Sequence, residues 1–132
     1  MKTKILTIST LLVALVCATF WQVAVAGNAS KRVDSSSSYN QVYDGLSAYV
    51  EPLNGYISYY TYVNCTSDAG SSAEILLFGD FPGFQADVYV PENGNYAKNV
   101  SGVIYPSSAQ GGWIEATFFV NGYASADLQV NW

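Results

Sequence analysis

The chain is 132 residues long, half of them hydrophobic and 15% aromatic, with five basic and ten acidic side chains and no histidine. That length suits a single domain with a modest core. The missing imidazole removes the commonest general base and metal ligand and excludes Ser-His-Asp and Cys-His catalysis outright, while the acidic balance repels nucleic acid and anionic lipid.

Lys2 and Lys4 begin the chain, Ile5 to Phe20 is an almost unbroken apolar run, and Ala24-Val25-Ala26 sets small residues before Gly27. This is the three-part layout of a secretory signal peptide, with cleavage expected after Ala26. A retained anchor is the rival, but Thr7, Ser9, Thr10 and Gln22 dilute the run and no basic cluster follows Ala26. Lipidation at Cys17 would need a small residue where Val16 stands. The sequence thus predicts a secreted protein, extracellular or periplasmic, free of the membrane after cleavage. Removing residues 1–26 takes away two lysines and no acid, so the net charge of −5 becomes −7. Cys65 is then the single cysteine, which leaves no intramolecular disulfide. A buried small hydrophobe is the expected state of its thiol, with an intermolecular bond as the alternative.

Residues 27–40 contain Lys31-Arg32, the serines 35–38 and little apolar surface, and are expected to be a disordered linker. The β domain is predicted over 41–132. Leu46, Ala48 and Val50 alternate onto one face, and Pro52 to Gly55 makes a turn in which Asn54-Gly55 supplies positive φ. In Tyr56 to Cys65, Ile57, Tyr59, Thr61, Val63 and Cys65 share a face. Glu74 to Phe78 is expected to be buried on both sides, because Ile75 to Phe78 is continuously apolar. Phe84, Ala86, Val88 and Val90 alternate again, and Val100 to Tyr105 forms another strand.

Trp113 to Val120 and Tyr123 to Trp132 flank Asn121-Gly122 and predict a hairpin. A three-residue loop, Val120-Asn121-Gly122 with Gly122 left-handed, matches Phe118 with Ala124, Ala116 with Ala126 and Ile114 with Leu128. A two-residue turn would mix apolar with polar, so the pattern selects the former. Its drawback is Glu115 opposite Asp127. About seven strands with regular turn signals predict an all-β fold, a small antiparallel β-sandwich with a small β-barrel as the alternative.

Three features bear on function. Eleven tyrosines are present, and alternation turns Tyr49, Tyr56, Tyr60, Tyr62, Tyr89 and Tyr123 away from the aliphatic side. Exposed tyrosine combines a flat apolar ring with a hydroxyl and suits binding surfaces, although aromatic cross-strand pairs also stabilise sheets by roughly 0.2–1 kcal/mol each. Tyr49, Tyr56, Tyr60 and Tyr62 are therefore the candidate ligand-binding residues. Glu115 and Asp127, if opposed, could be solvated, hold a cation, or serve as a two-carboxylate hydrolase pair. Asp80, Asp87 and residues 92–95 offer oxygen ligands but match no calcium loop, and turn chemistry explains them. Asn28, Asn64 and Asn99 head N-glycosylation triplets.

The reading is a non-catalytic exported module, without cofactor or metal, that binds a glycan or an extracellular protein surface through a tyrosine-rich sheet face. The rival is a self-associating subunit of an extracellular layer or fibre, favoured by the scarcity of the lysines that usually protect strand edges. A small carboxylate hydrolase comes third.

Overall fold

The computed structural model describes residues 27–66, 70–91, 96–108 and 110–132. The leader at 1–26 and the oxygen-rich loop at 92–95 lie outside the described residues. Among the described residues six strands run antiparallel: β1 (Asn28–Val50), β2 (Ile57–Cys65), β3 (Ser72–Gly79), β4 (Gln85–Val90), β5 (Tyr96–Ile104) and β6 (Gly112–Asn131). β6 is the spine. β1 follows one side of it from end to end, while β2 and β3 succeed one another along the other side. β5 lies outside β2, and β4 outside β3.

This sheet is folded double at Asn121 to Tyr123. Half-sheet I holds residues 28–36 of β1, residues 123–131 of β6, β2 and β5. Half-sheet II holds residues 41–50 of β1, residues 112–121 of β6, β3 and β4. The halves face each other. The Tyr59 ring of β2 meets the Phe84 ring beside β4 edge to face at 5.5 Å, and the Cys65 thiol donates to the Pro91 carbonyl at 3.5 Å. The result is the predicted antiparallel β-sandwich, with an outline close to a barrel. β1 and β6 are long, and each serves both layers.

Alternation explains the core. Ile114, Ala116, Phe118 and Val120 point inward from one end of β6, and Ala124, Ala126, Leu128 and Val130 from the other. They meet Ile57, Val63, Cys65, Ala73, Ile75, Leu77, Val88 and Val90, all of them buried. Thr61 is the one buried polar residue of β2, and its hydroxyl donates to the Val100 carbonyl at 2.8 Å.

The bend has a chemical cause. Gly122 has φ +67°, a conformation that costs a side-chain-bearing residue about 1–2 kcal/mol. A Cβ there would also stand 2.6 Å from Ser71 Oγ and 3.0 Å from Ser71 Cα. Around it, the Tyr123 N–H donates to Ser71 Oγ and the Asn121 amide to Ser72 Oγ, both at 3.0 Å. Opposite, β1 carries residues 37–40 against Gly122 alone, since the register passes from Ser36↔Tyr123 to Gln41↔Asn121. This bulge shifts the inward positions of β1 from odd numbers to even ones.

Four expectations are corrected. Residues 28–40 are not a disordered linker but part of β1. Of their inward side chains only Val33 and Ser35 are buried, so composition hides a strand that main-chain pairing to β6 orders. There is no terminal hairpin: β6 is one continuous strand, Phe118 pairs with Asp44 and Ile75, and Ala124 pairs with Ser35 and Cys65. Glu115 and Asp127 therefore lie in different half-sheets and form no pair. β3 alternates rather than being buried on both sides, leaving Leu76 half-buried and Phe78 45% exposed. Finally, Gly55 at φ +77° does close a turn, its N–H donating to the Pro52 carbonyl at 2.9 Å, but the chain there crosses between layers instead of forming a hairpin.

Candidate functional site

The side chains that face the core of half-sheet II leave their alternates on its outer surface. On β1 these are Tyr43, Gly45, Ser47 and Tyr49; on β6, Trp113, Glu115, Thr117 and Phe119. β3 adds Glu74, Leu76 and Phe78, and β4 adds Gln85, Asp87 and Tyr89. Tyr43 is 71% exposed, Trp113 51% and Tyr89 46%. No packing demand within the domain requires large rings there.

The rings are ordered in pairs. Tyr43 meets Phe119 at 4.9 Å and 66°, and Tyr49 meets Trp113 at 5.5 Å and 70°, both edge to face. Such pairs contribute roughly 0.5–1.5 kcal/mol beyond their burial, so the rings are held before any ligand arrives. Tyr49 also lies against Gly111, where a Cβ would meet its hydroxyl, and its ring at 2.7 Å. At the strand rise of about 3.4 Å per residue, the two pairs stand about 20 Å apart. Between them Gly45, Ser47, Glu115 and Thr117 leave a shallow open depression of about 360 Å³.

Trp113 is positioned by its backbone as well. The Asp80 N–H donates to the Trp113 carbonyl at 2.9 Å, and the Trp113 N–H donates to Asp80 Oδ2 at 2.8 Å. Asp80 thus continues the β3–β6 ladder past Gly79 with its side chain, bonding across to β6 where a bond within its own turn was expected. Asp80 also lines, with Phe81, Pro106 and Gln110, a cleft of about 310 Å³ at that end of the sandwich.

The aromatic face carries Glu74, Asp87 and Glu115 and no lysine or arginine. Glu74 sits between Phe119 and Tyr89 in the register, and burial, then the charge of Asp87, pushes its carboxyl above the usual range. Among the described residues no cluster of three acidic or cysteine side chains could hold a metal ion.

The outer face of half-sheet I differs. Tyr60 is 42% exposed and Tyr62 half-buried, the latter accepting a bond from the Asn64 amide at 3.4 Å; Tyr56 is exposed at the entry to β2. Their neighbours are Asn99, Ser101, Asp127 and Gln129. Nearby, Arg32 bonds Asp34 at 2.9 Å and approaches Asp127 at 3.6 Å. Of the four candidate tyrosines, then, Tyr56, Tyr60 and Tyr62 lie on this more polar half, which also exposes Val103 and Tyr123, while Tyr49 belongs to the other. The structure does not bring them together. Tyr43, Phe78, Trp113 and Phe119 were missed, although the alternation that turns Ile114 and Phe118 inward also turns Trp113 and Phe119 outward.

No protein-family model and no curated protein sequence matches the chain. Among solved structures, TmCBM61 in complex with β-1,4-galactotriose is similar over 83% of this chain and 88% of its own, at 12% identity and TM-score 0.46. T=1 particles derived from infectious bursal virus match 81% of this chain and 31% of theirs, at 15% identity and TM-score 0.43. The Bacillus endospore appendages, described as disulfide-linked pili, match 82% of this chain and 86% of theirs, at 10% identity and TM-score 0.36. Likenesses this distant say nothing of ligand or assembly.

Proposed function

We propose that the chain is an exported, non-catalytic binding module whose ligand lies on the outer face of half-sheet II. The observation that carries this reading is the ordered set of exposed rings, Tyr43, Tyr49, Phe78, Tyr89 and Trp113, over a single sheet face. A glycan or an extracellular protein surface suits it, since both offer flat apolar patches edged with hydroxyls or amides to stack on aromatic rings. With three carboxylates and no base on the face, the ligand is uncharged or cationic; an anionic one is repelled. Export rests on the leader at 1–26. The test is a titration against neutral, cationic and anionic polysaccharides and extracellular extracts, with Trp113→Ala and Tyr60→Ala side by side. Loss of binding in the first variant and retention in the second supports the reading; equal retention in both defeats it.

A second reading, a self-associating subunit, is favoured by one observation: among the described residues β1 pairs with no strand other than β6 and so has one open edge. Sedimentation of the purified protein across a concentration range separates the two.

A further inference from the structure

The strand that pairs with β1 is β6, so the other side of β1 presents main-chain groups without a strand partner among the described residues. An edge this long is a template for pairing with another chain. At Gly45 the edge is closed by side chains. The Gly45 N–H donates to Asp44 Oδ1 at 2.7 Å, and the Gly45 carbonyl accepts from Lys31 Nζ at 2.9 Å. The same ammonium donates to Asp44 Oδ1 at 2.7 Å. In an antiparallel strand a residue's N–H and C=O point to the same side, so Gly45 turns both toward the open edge and both are taken. Lys31 and Asp44 stand at inward positions of β1 in different half-sheets, with their side chains 27% and 44% exposed. The ion pair therefore also ties the two layers together at the open edge.

We propose that Lys31, Asp44 and Gly45 form an edge guard that keeps residues 41–50 of β1 from pairing with the same segment of a second copy of this chain. The second copy is the fitting occupant because the segment is self-complementary. Two-fold antiparallel pairing centred on Gly45 sets Tyr43 of one copy opposite Ser47 of the other, and Val42 opposite Ala48, with no like charges directly opposed. Such a pairing would join two aromatic faces into one continuous surface. This goes beyond the ligand-binding reading and stands whether or not that reading holds.

The experiment is sedimentation velocity on the purified protein and on Asp44→Asn and Lys31→Met, over the same concentrations, with circular dichroism confirming the fold. Asp44→Asn is close in shape and both side chains are partly exposed, so the two variants together keep the test open if one folds poorly. Self-association at least tenfold tighter in the variants than in the parent is expected. Adding Gly45→Pro to Asp44→Asn removes the edge N–H and should return the monomer. Folded variants that remain as monomeric as the parent overturn the guard. So does association that persists in the Gly45→Pro double variant, which would place the interface elsewhere.

Discussion

The two outer faces of this sandwich are built largely from the same two strands, yet they differ in kind. Along β6 the inward residues stay apolar from Ile114 to Val130, while the outward ones are Trp113, Glu115, Thr117 and Phe119 before Gly122 and Tyr123, Ser125, Asp127 and Gln129 after it. β1 shows the mirror change, from Ser30, Arg32 and Asp34 on half-sheet I to Tyr43 and Tyr49 on half-sheet II. Core packing constrains only the inward set, so the outward difference is not a by-product of folding.

The bend that separates the faces is where the comparison breaks most easily. Gly122→Val adds a β-branched side chain at φ +67° and against Ser71 and Gly70. Strain and overlap together should destabilise by about 2–4 kcal/mol, read from the midpoint of urea unfolding. A change below about 1 kcal/mol would mean that β6 does not bend there.

Next in size is the contrast between faces. Trp113→Ala should weaken ligand binding by about 2 kcal/mol or more, some thirtyfold, with a smaller loss of stability from the broken Tyr49 contact. Tyr60→Ala should change neither by more than about 0.5 kcal/mol, as exposed substitutions usually do. If calorimetry shows Tyr60→Ala to be the more damaging to binding, the functional face is the polar half after all.

The inner faces were legible in the sequence, but the path of the chain was not. A continuous strand through Gly122 and a hairpin with a three-residue loop put the same even-numbered residues of 114–130 on one side. The hydrophobic pattern could not choose between them. The like-charge pairing of Glu115 with Asp127 was the one sign against the hairpin, and a strand of 20 residues lies well beyond the usual three to ten. The strand in residues 28–36 was hidden for another reason. An edge strand needs apolar cover on one side only, and Val33 with Ser35 supplies too little to register as alternation. The aromatic site was half visible: Tyr49 was turned outward correctly, but its partner Trp113 sits across a β1–β6 pairing that only the three-dimensional path reveals.

The smallest expected effects carry opposite signs. On half-sheet II the Glu74 carboxyl is raised, chiefly by burial and then by Asp87. The folded state then holds that proton more tightly than the unfolded chain does, and the charged form counts against folding above the raised value. Glu74→Gln should therefore stabilise slightly at neutral pH, by no more than about 0.5 kcal/mol, and the gain should vanish as pH falls below the unfolded glutamate value. At the β1 edge the Asp44 carboxyl is lowered, first by its hydrogen bond from Lys31 and then by that from the Gly45 N–H. Its contribution is present above the unfolded aspartate value and is lost as pH falls through the folded one. Asp44→Asn should accordingly be less stable than the parent at neutral pH and approach it in acid. Unfolding midpoints at pH 7, 5 and 3, taken at concentrations too low for association, check both. Two differences of opposite sign that close together on acidification are expected. A Glu74→Gln effect that is destabilising, or that persists unchanged at pH 3, would show that the aromatic rings do not desolvate that carboxylate.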